Sequence, residues 1–198
     1  MLSSDATRRA RYATVTSTAA KLKARDHTRA MTPSERDHVI QATLLAAREP
    51  GLNPRTRRKR RATADLIAFL AETGARIDEA RQVRWQDISL ERGRVYMRGT
   101  KSETSDRWLN LPDWLVEQLA ARATDAGTEG YVFAAPAQRD PGRVWDQSNS
   151  AGAVRAALDT CGLTAAVPHT FWRTVATLLD QAARAFRCER DRPCVPRP

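Results

Sequence analysis

At 198 residues and a formal net charge of +10, the chain is long enough to bury a core of its own and is biased toward polyanionic partners. No apolar run approaches the ~20 residues that cross a bilayer, and the basic, hydroxyl-rich Met1–Ala20 lacks the apolar stretch of a secretory signal. Its three cysteines, Cys161, Cys188 and Cys194, are odd in number and in no metal-ligand spacing, so they read as spare thiols of a reducing cytoplasm, with no metal and no cofactor expected.

The charge is unevenly placed. Residues 1–61 hold 15 Lys+Arg against 5 Asp+Glu, residues 62–182 hold 13 against 16, and residues 183–198 hold 5 against 2. Residues 1–30 show no sustained apolar period, and 1–31 read as a basic flexible arm. Thr32-Pro33-Ser34-Glu35 reads as a helix start, with Thr32 as N-cap and Val39, Ile40, Leu44 and Leu45 as the apolar stripe that follows. Pro50–Pro54 breaks that helix. The run Arg57-Arg58-Lys59-Arg60-Arg61 then reads as a linker, and as the densest candidate contact with DNA, although a charge run by itself is usually a solvated loop.

A second helix is expected over about Ala62–Glu72, ending at Gly74, and a third from near Asp78 to about Trp85. Gly93–Arg98 and Arg107–Leu111 read as strands flanking a polar turn that contains Lys101. Pro112 opens a helix through about Ala123, and Tyr131–Arg143 is loop apart from a short strand at Tyr131–Phe133. Helices follow at about Ser148–Cys161 and His169–Phe186. Three prolines among the last six residues forbid a helix there.

Three segments carry chemistry. Arg76 lies in Thr73-Gly74-Ala75-Arg76-Ile77-Asp78-Glu79-Ala80, where a cation at a helix start opposes the dipole. Pairing with Asp78 or Glu79 is one reading of that position. Lys101 lies in Gly99-Thr100-Lys101, where a lysine is ordinarily just solvated. His169 opens Pro168-His169-Thr170-Phe171-Trp172-Arg173-Thr174-Val175-Ala176-Thr177-Leu178-Leu179.

In this order, and with Val83-Arg84-Trp85-Gln86-Asp87-Ile88 after the first, these segments resemble the tyrosine recombinases, the phage integrase family. The resemblance spans about residues 32–182. It implies an α+β, mainly helical catalytic domain with a small antiparallel sheet, acting on double-stranded DNA, with other recombinase subunits as further partners and a cytoplasmic, nucleoid-associated location. It also implies a metal-free attack of a tyrosine on a DNA phosphate, with Arg76 and a second arginine facing the phosphate oxygens, Lys101 protonating the leaving 5′ oxygen and His169 assisting proton transfer.

Two departures stand out. Trp172 occupies the second-arginine position, with Arg173 only a weak substitute because the adjacent helical position points about 100° away. No tyrosine follows His169, the three being Tyr12, Tyr96 and Tyr131. The expectation is a degenerate recombinase domain at 32–182, incomplete at its C-terminus, with residues 1–31 at most a remnant of a core-binding domain and 183–198 an aberrant Arg/Cys/Pro-rich tail. Such a chain binds DNA and is inactive alone. An active enzyme that takes its tyrosine from a partner subunit and a non-catalytic DNA-binding accessory protein are the alternatives.

Overall fold

The computed structural model describes residues 29–99, 106–136 and 140–190. Lys101 and the proline-rich end therefore lie outside the described residues, as do Tyr12, Cys194 and most of the basic arm. Helix α1 (Pro33–Arg48) starts at a complete capping box. The Glu35 amide donates to Thr32 Oγ1 at 3.2 Å and the Thr32 amide donates to Glu35 Oε2 at 2.8 Å. Val39, Ile40 and Thr43 are buried, whereas Leu45, expected in the stripe, is exposed. Thr43 takes the inward place because its hydroxyl donates to the Val39 and Ile40 carbonyls, leaving a methyl for the core.

Helix α2 (Pro54–Thr73) corrects the linker expected at 57–61. Asn53 caps it by accepting from the Thr56 amide, and Pro54 fills the first helical position, so the basic run forms the first turns of a helix eight residues longer at its start than the apolar pattern indicated. Arginine and lysine are good helix formers, and their mutual repulsion is relieved by Arg60 pairing with Glu49 and Arg61 with Asp125. From Ala62 to Ala71 the helix is buried on every side, and the other helices of the domain pack around it. Gly74 ends it in the left-handed region, φ 62°, donating to the Leu70 carbonyl.

Helix α3 is only Ile77–Ala80, well short of the end expected near Trp85. Tertiary backbone pairing wins over helix continuation. The Val83 carbonyl accepts from the Val132 amide at 2.9 Å, and the Trp85 amide donates to the Gly130 carbonyl at 3.1 Å. Arg84 and Tyr131 form an isolated antiparallel bridge there, in place of the strand expected at Tyr131–Phe133. A short 3-10 turn, Trp85–Asp87, leads into an antiparallel sheet of β1 (Ile88–Ser89), β2 (Arg94–Met97) and β3 (Arg107–Asn110) in the order β1-β2-β3. Val95 and Met97 face the core, and Tyr96 lies opposite Trp108 on the other face.

Helices α4 (Asp113–Ala126) and α5 (Gln147–Thr160) close the core with Leu115, Leu119, Val154 and Leu158. One buried ion pair ties α2 to α4: Asp65, fully buried, accepts from Arg122 Nη1 at 2.6 Å and Gln118 Nε2 at 2.8 Å. Helix α6 runs from Pro168 to Arg190, four residues beyond the expected Phe186. The domain is thus α+β and mainly helical, with one small antiparallel sheet. Among the described residues no helix is long and apolar enough to cross a membrane.

Candidate active site

Arg76 and His169 are far apart in the chain, and a glycine brings their elements together. A Cβ on Gly74 would lie 2.9 Å from Val175 Cβ, so only glycine lets the corner between α2 and α3 press this closely on α6. The corner is held from the other side by a buried carboxylate. Glu79, 4 % exposed, accepts from the Arg76 amide and Arg76 Nη1 at 3.1 and 3.2 Å, and from Arg107 Nη2 at 3.1 Å. Arg76 therefore pairs with Glu79, while Asp78 is taken by Arg81 and Gln147.

Half of the Arg76 side chain remains exposed, and its guanidinium carbon lies 5.9 Å from the centroid of the Trp172 ring. That indole also stacks on His169, with centroids 5.1 Å apart and planes at 15°. The residue expected at the edge of the site thus lies against both its cation and its imidazole. Burial, followed by the nearby Arg173 and Arg76 guanidiniums, pushes the His169 imidazole below its ordinary pKa, which favours the neutral form at pH 7.

The basic run is not brought to this cluster. Lys59 and Thr73 are 14 residues apart on α2, about 21 Å at 1.5 Å per residue, and Arg76 lies beyond the far end. Arg57 and Lys59 are exposed, and Arg58 is half-buried with Nε unpaired.

Two tyrosines line a cavity of about 430 Å³ that also contains Glu79. Their hydroxyls are held in different ways. Tyr96 donates to Asp106 Oδ2 at 2.7 Å, and that hydrogen bond pushes its pKa above the usual phenol value, opposite to what phenolate attack needs. The Tyr131 hydroxyl accepts from Arg84 Nη2 at 3.2 Å, and the Arg84 guanidinium lies over its ring.

Sequence reasoning missed Arg107 and saw Glu79 only as a competitor for Arg76. The usable signal was strand alternation, which pairs Arg107 with inward-facing Met97. Among the described residues no group of His, Cys, Asp or Glu side chains is arranged to hold a metal ion.

The architecture is that of solved site-specific recombinases. XerA recombinase superposes with a TM-score of 0.62 at 18% identity, over 80% of this chain and 52% of that one. XerH recombinase, solved with its palindromic difH substrate after cleavage, gives 0.62 at 19% identity, over 79% and 43%. At these identities the likeness defines the fold alone. Sequence carries it further: the model of the phage integrase family matches residues 29–184, and the chain belongs to that family of tyrosine recombinases. A Sinorhizobium fredii protein classed as an integrase/recombinase is 36% identical over 103 residues, covering 51% of this chain and 32% of the relative. The chain thus spans about a third of that relative's length and about half of the solved recombinases it matches.

Proposed function

We propose that the chain is an integrase-type DNA-binding domain whose phosphate site is filled by an indole, and that on its own it holds duplex DNA without cutting it. The observation that carries this reading is Trp172 packed against both Arg76 and His169. The family's reaction gathers negative charge on the non-bridging phosphate oxygens, which two guanidinium forks meet with paired, charged hydrogen bonds. Trp172 offers one neutral N–H in place of a fork. Losing a single transition-state donor costs on the order of 10²–10³ in rate, and here a charge is lost as well. In this reading Arg76 still binds a phosphate, His169 still accepts or donates one hydrogen bond, and Lys101 acts on the leaving oxygen only where a nucleophile is provided.

DNA as the partner is supported by the family, by the XerH complexes and by the charge of residues 1–61. Arg55, Arg57 and Lys59 on the first turns of α2 are proposed as a second, sequence-indifferent phosphate contact, distant from the Arg76 cluster. The test is incubation of the 198-residue chain with nicked suicide duplexes, followed by a denaturing gel. Retarded native complexes with no covalent protein–DNA band are expected, for wild type and for Trp172→Arg alike. A covalent band from the wild-type chain refutes the reading, as does failure to retard DNA at low salt.

A further inference from the structure

We propose, on the reading of Arg76 as a phosphate ligand, that Arg107 is the second guanidinium of the same site, taking from strand β3 the part that helix α6 leaves to an indole. The two side chains meet on one carboxylate. Arg76 Nη1 donates to Glu79 Oε1 at 3.2 Å and Arg107 Nη2 donates to Glu79 Oε2 at 3.1 Å, so Glu79 bridges two guanidiniums from different elements. Strand alternation sets this up: Arg107 lies opposite inward-facing Met97, whereas its neighbour Trp108 is exposed on the other face.

Glu79 does not need both cations. A buried carboxylate must be paired, and Arg76 already supplies it with a guanidinium and a backbone amide. Arg107 leaves the three side chains with one positive charge in excess. That excess is presented to solvent, with 51% of the Arg76 side chain and 37% of the Arg107 side chain exposed around a carboxylate that is itself buried. Each guanidinium carries five N–H donors in a rigid fork, and the contacts with Glu79 engage one Nη of each. A DNA phosphate offers two non-bridging oxygens, as Glu79 offers two. Guanidiniums spaced to share one carboxylate are therefore spaced to share one phosphate. Trp172 packs against the Arg76 fork from helix α6, and Arg107 supplies the second fork from the sheet.

The test follows the arginine Nε–H signals of the full chain by nitrogen-edited NMR while a short duplex is added at low salt, the two signals being assigned with Arg76→Lys and Arg107→Lys. Those of Arg76 and Arg107 are expected to move together, with one midpoint. Anisotropy of a labelled duplex supplies a second readout. In a Glu79→Gln background no buried carboxylate is left for Arg107 to neutralise. There Arg107→Gln is expected to weaken binding about tenfold at low salt and to flatten the log–log salt slope by about 0.9. Arg107→Lys in that background should keep the slope and lose part of the affinity, because the charge stays and the fork goes. The NMR titration uses the wild-type chain, so it decides the matter even where the Glu79→Gln background does not fold. An Arg76 signal that moves while that of Arg107 stays still overturns the proposal and leaves Arg76 as a phosphate ligand. If neither moves while the duplex is bound, the phosphate site itself is wrong and the proposal falls with it. A salt slope indifferent to Arg107→Gln in the Glu79→Gln background overturns it as well.

Discussion

Replacing Trp172 by arginine restores the fork at the phosphate position and gives a result that can be worked out in advance. The new guanidinium lies about 6 Å from that of Arg76, since the indole centroid it replaces is 5.9 Å away. At that distance two like charges repel by about 1–3 kcal/mol for effective dielectrics between 80 and 20. Arg76 is half-exposed, so the lower end applies. That repulsion is present without DNA as well, so it is no cost of binding, and the charge-assisted hydrogen bond to phosphate contributes about 1.5–3 kcal/mol, or roughly ten- to a hundredfold tighter binding at low salt. One more phosphate contact steepens the log–log salt slope by about 0.9. Between 50 and 200 mM salt the variant therefore loses an extra factor of about three to four, and with it part of its advantage. Fluorescence anisotropy of a labelled duplex at several salt concentrations measures both quantities, with Trp172→Ala as the control that should leave the slope unchanged. An arginine variant whose slope equals that of wild type would show that position 172 does not face a phosphate.

Other consequences can be checked separately. Asp65→Ala leaves Arg122 buried without its counter-ion, which costs about 3–5 kcal/mol. At about 2–4 °C per kcal/mol this lowers the melting temperature by about 6–20 °C, so a calorimetric drop below ~3 °C would contradict the burial of that pair. His169 should titrate below the ordinary histidine value of 6.5 in an NMR pH series, and Trp172→Ala should move it upward by reducing its burial. The protonated form adds a positive charge at the site, so DNA affinity should rise as pH falls through that lowered pKa and stay flat above 6.5; an opposite trend would exclude His169 from the interface. Arg57→Gln with Lys59→Gln should flatten the salt slope by about two without changing the melting temperature, since both side chains are exposed. Deleting residues 1–61 is no substitute for that pair, because it removes the buried Val39 and Ile40 as well.

Local signals were legible and tertiary ones were not. Thr32 with Glu35 announced the start of α1, Gly74 the end of α2, and alternation the β2–β3 hairpin, because each rests on contacts within a few residues. The basic run was misread because five adjacent cations resemble a solvated loop; Asn53-Pro54 carried the helix start, and the acidic partners Glu49 and Asp125 lie outside the run. Helix α3 ended early because Val83 and Trp85 pair with residues 130–132, a contact about 47 positions away that no local pattern encodes. At the site, Arg76, His169 and Trp172 were legible as a motif. That the indole stacks on the imidazole follows from their i,i+3 spacing, whereas its position against Arg76 depends on Gly74 and α6 meeting.

The tryptophan also gives a physical reason for the fold to outlast the proposed loss of chemistry. Glu79 is the buried carboxylate that holds Arg76 and Arg107, and Arg173 stands beside His169, so the site is crowded with cations before any phosphate arrives. A second fork at position 172 adds another cation that Glu79 is already too occupied to offset. An indole there removes that repulsion and replaces it with a ring stack and a cation–π contact, together about 1–2 kcal/mol in favour of the DNA-free state. Sites poised for a missing ligand trade stability for function, and filling the site reverses the trade. On this argument the Trp172→Arg chain that binds DNA more tightly must also melt at a lower temperature when DNA is absent. If it gained both affinity and stability, the indole could not be what relieves the site.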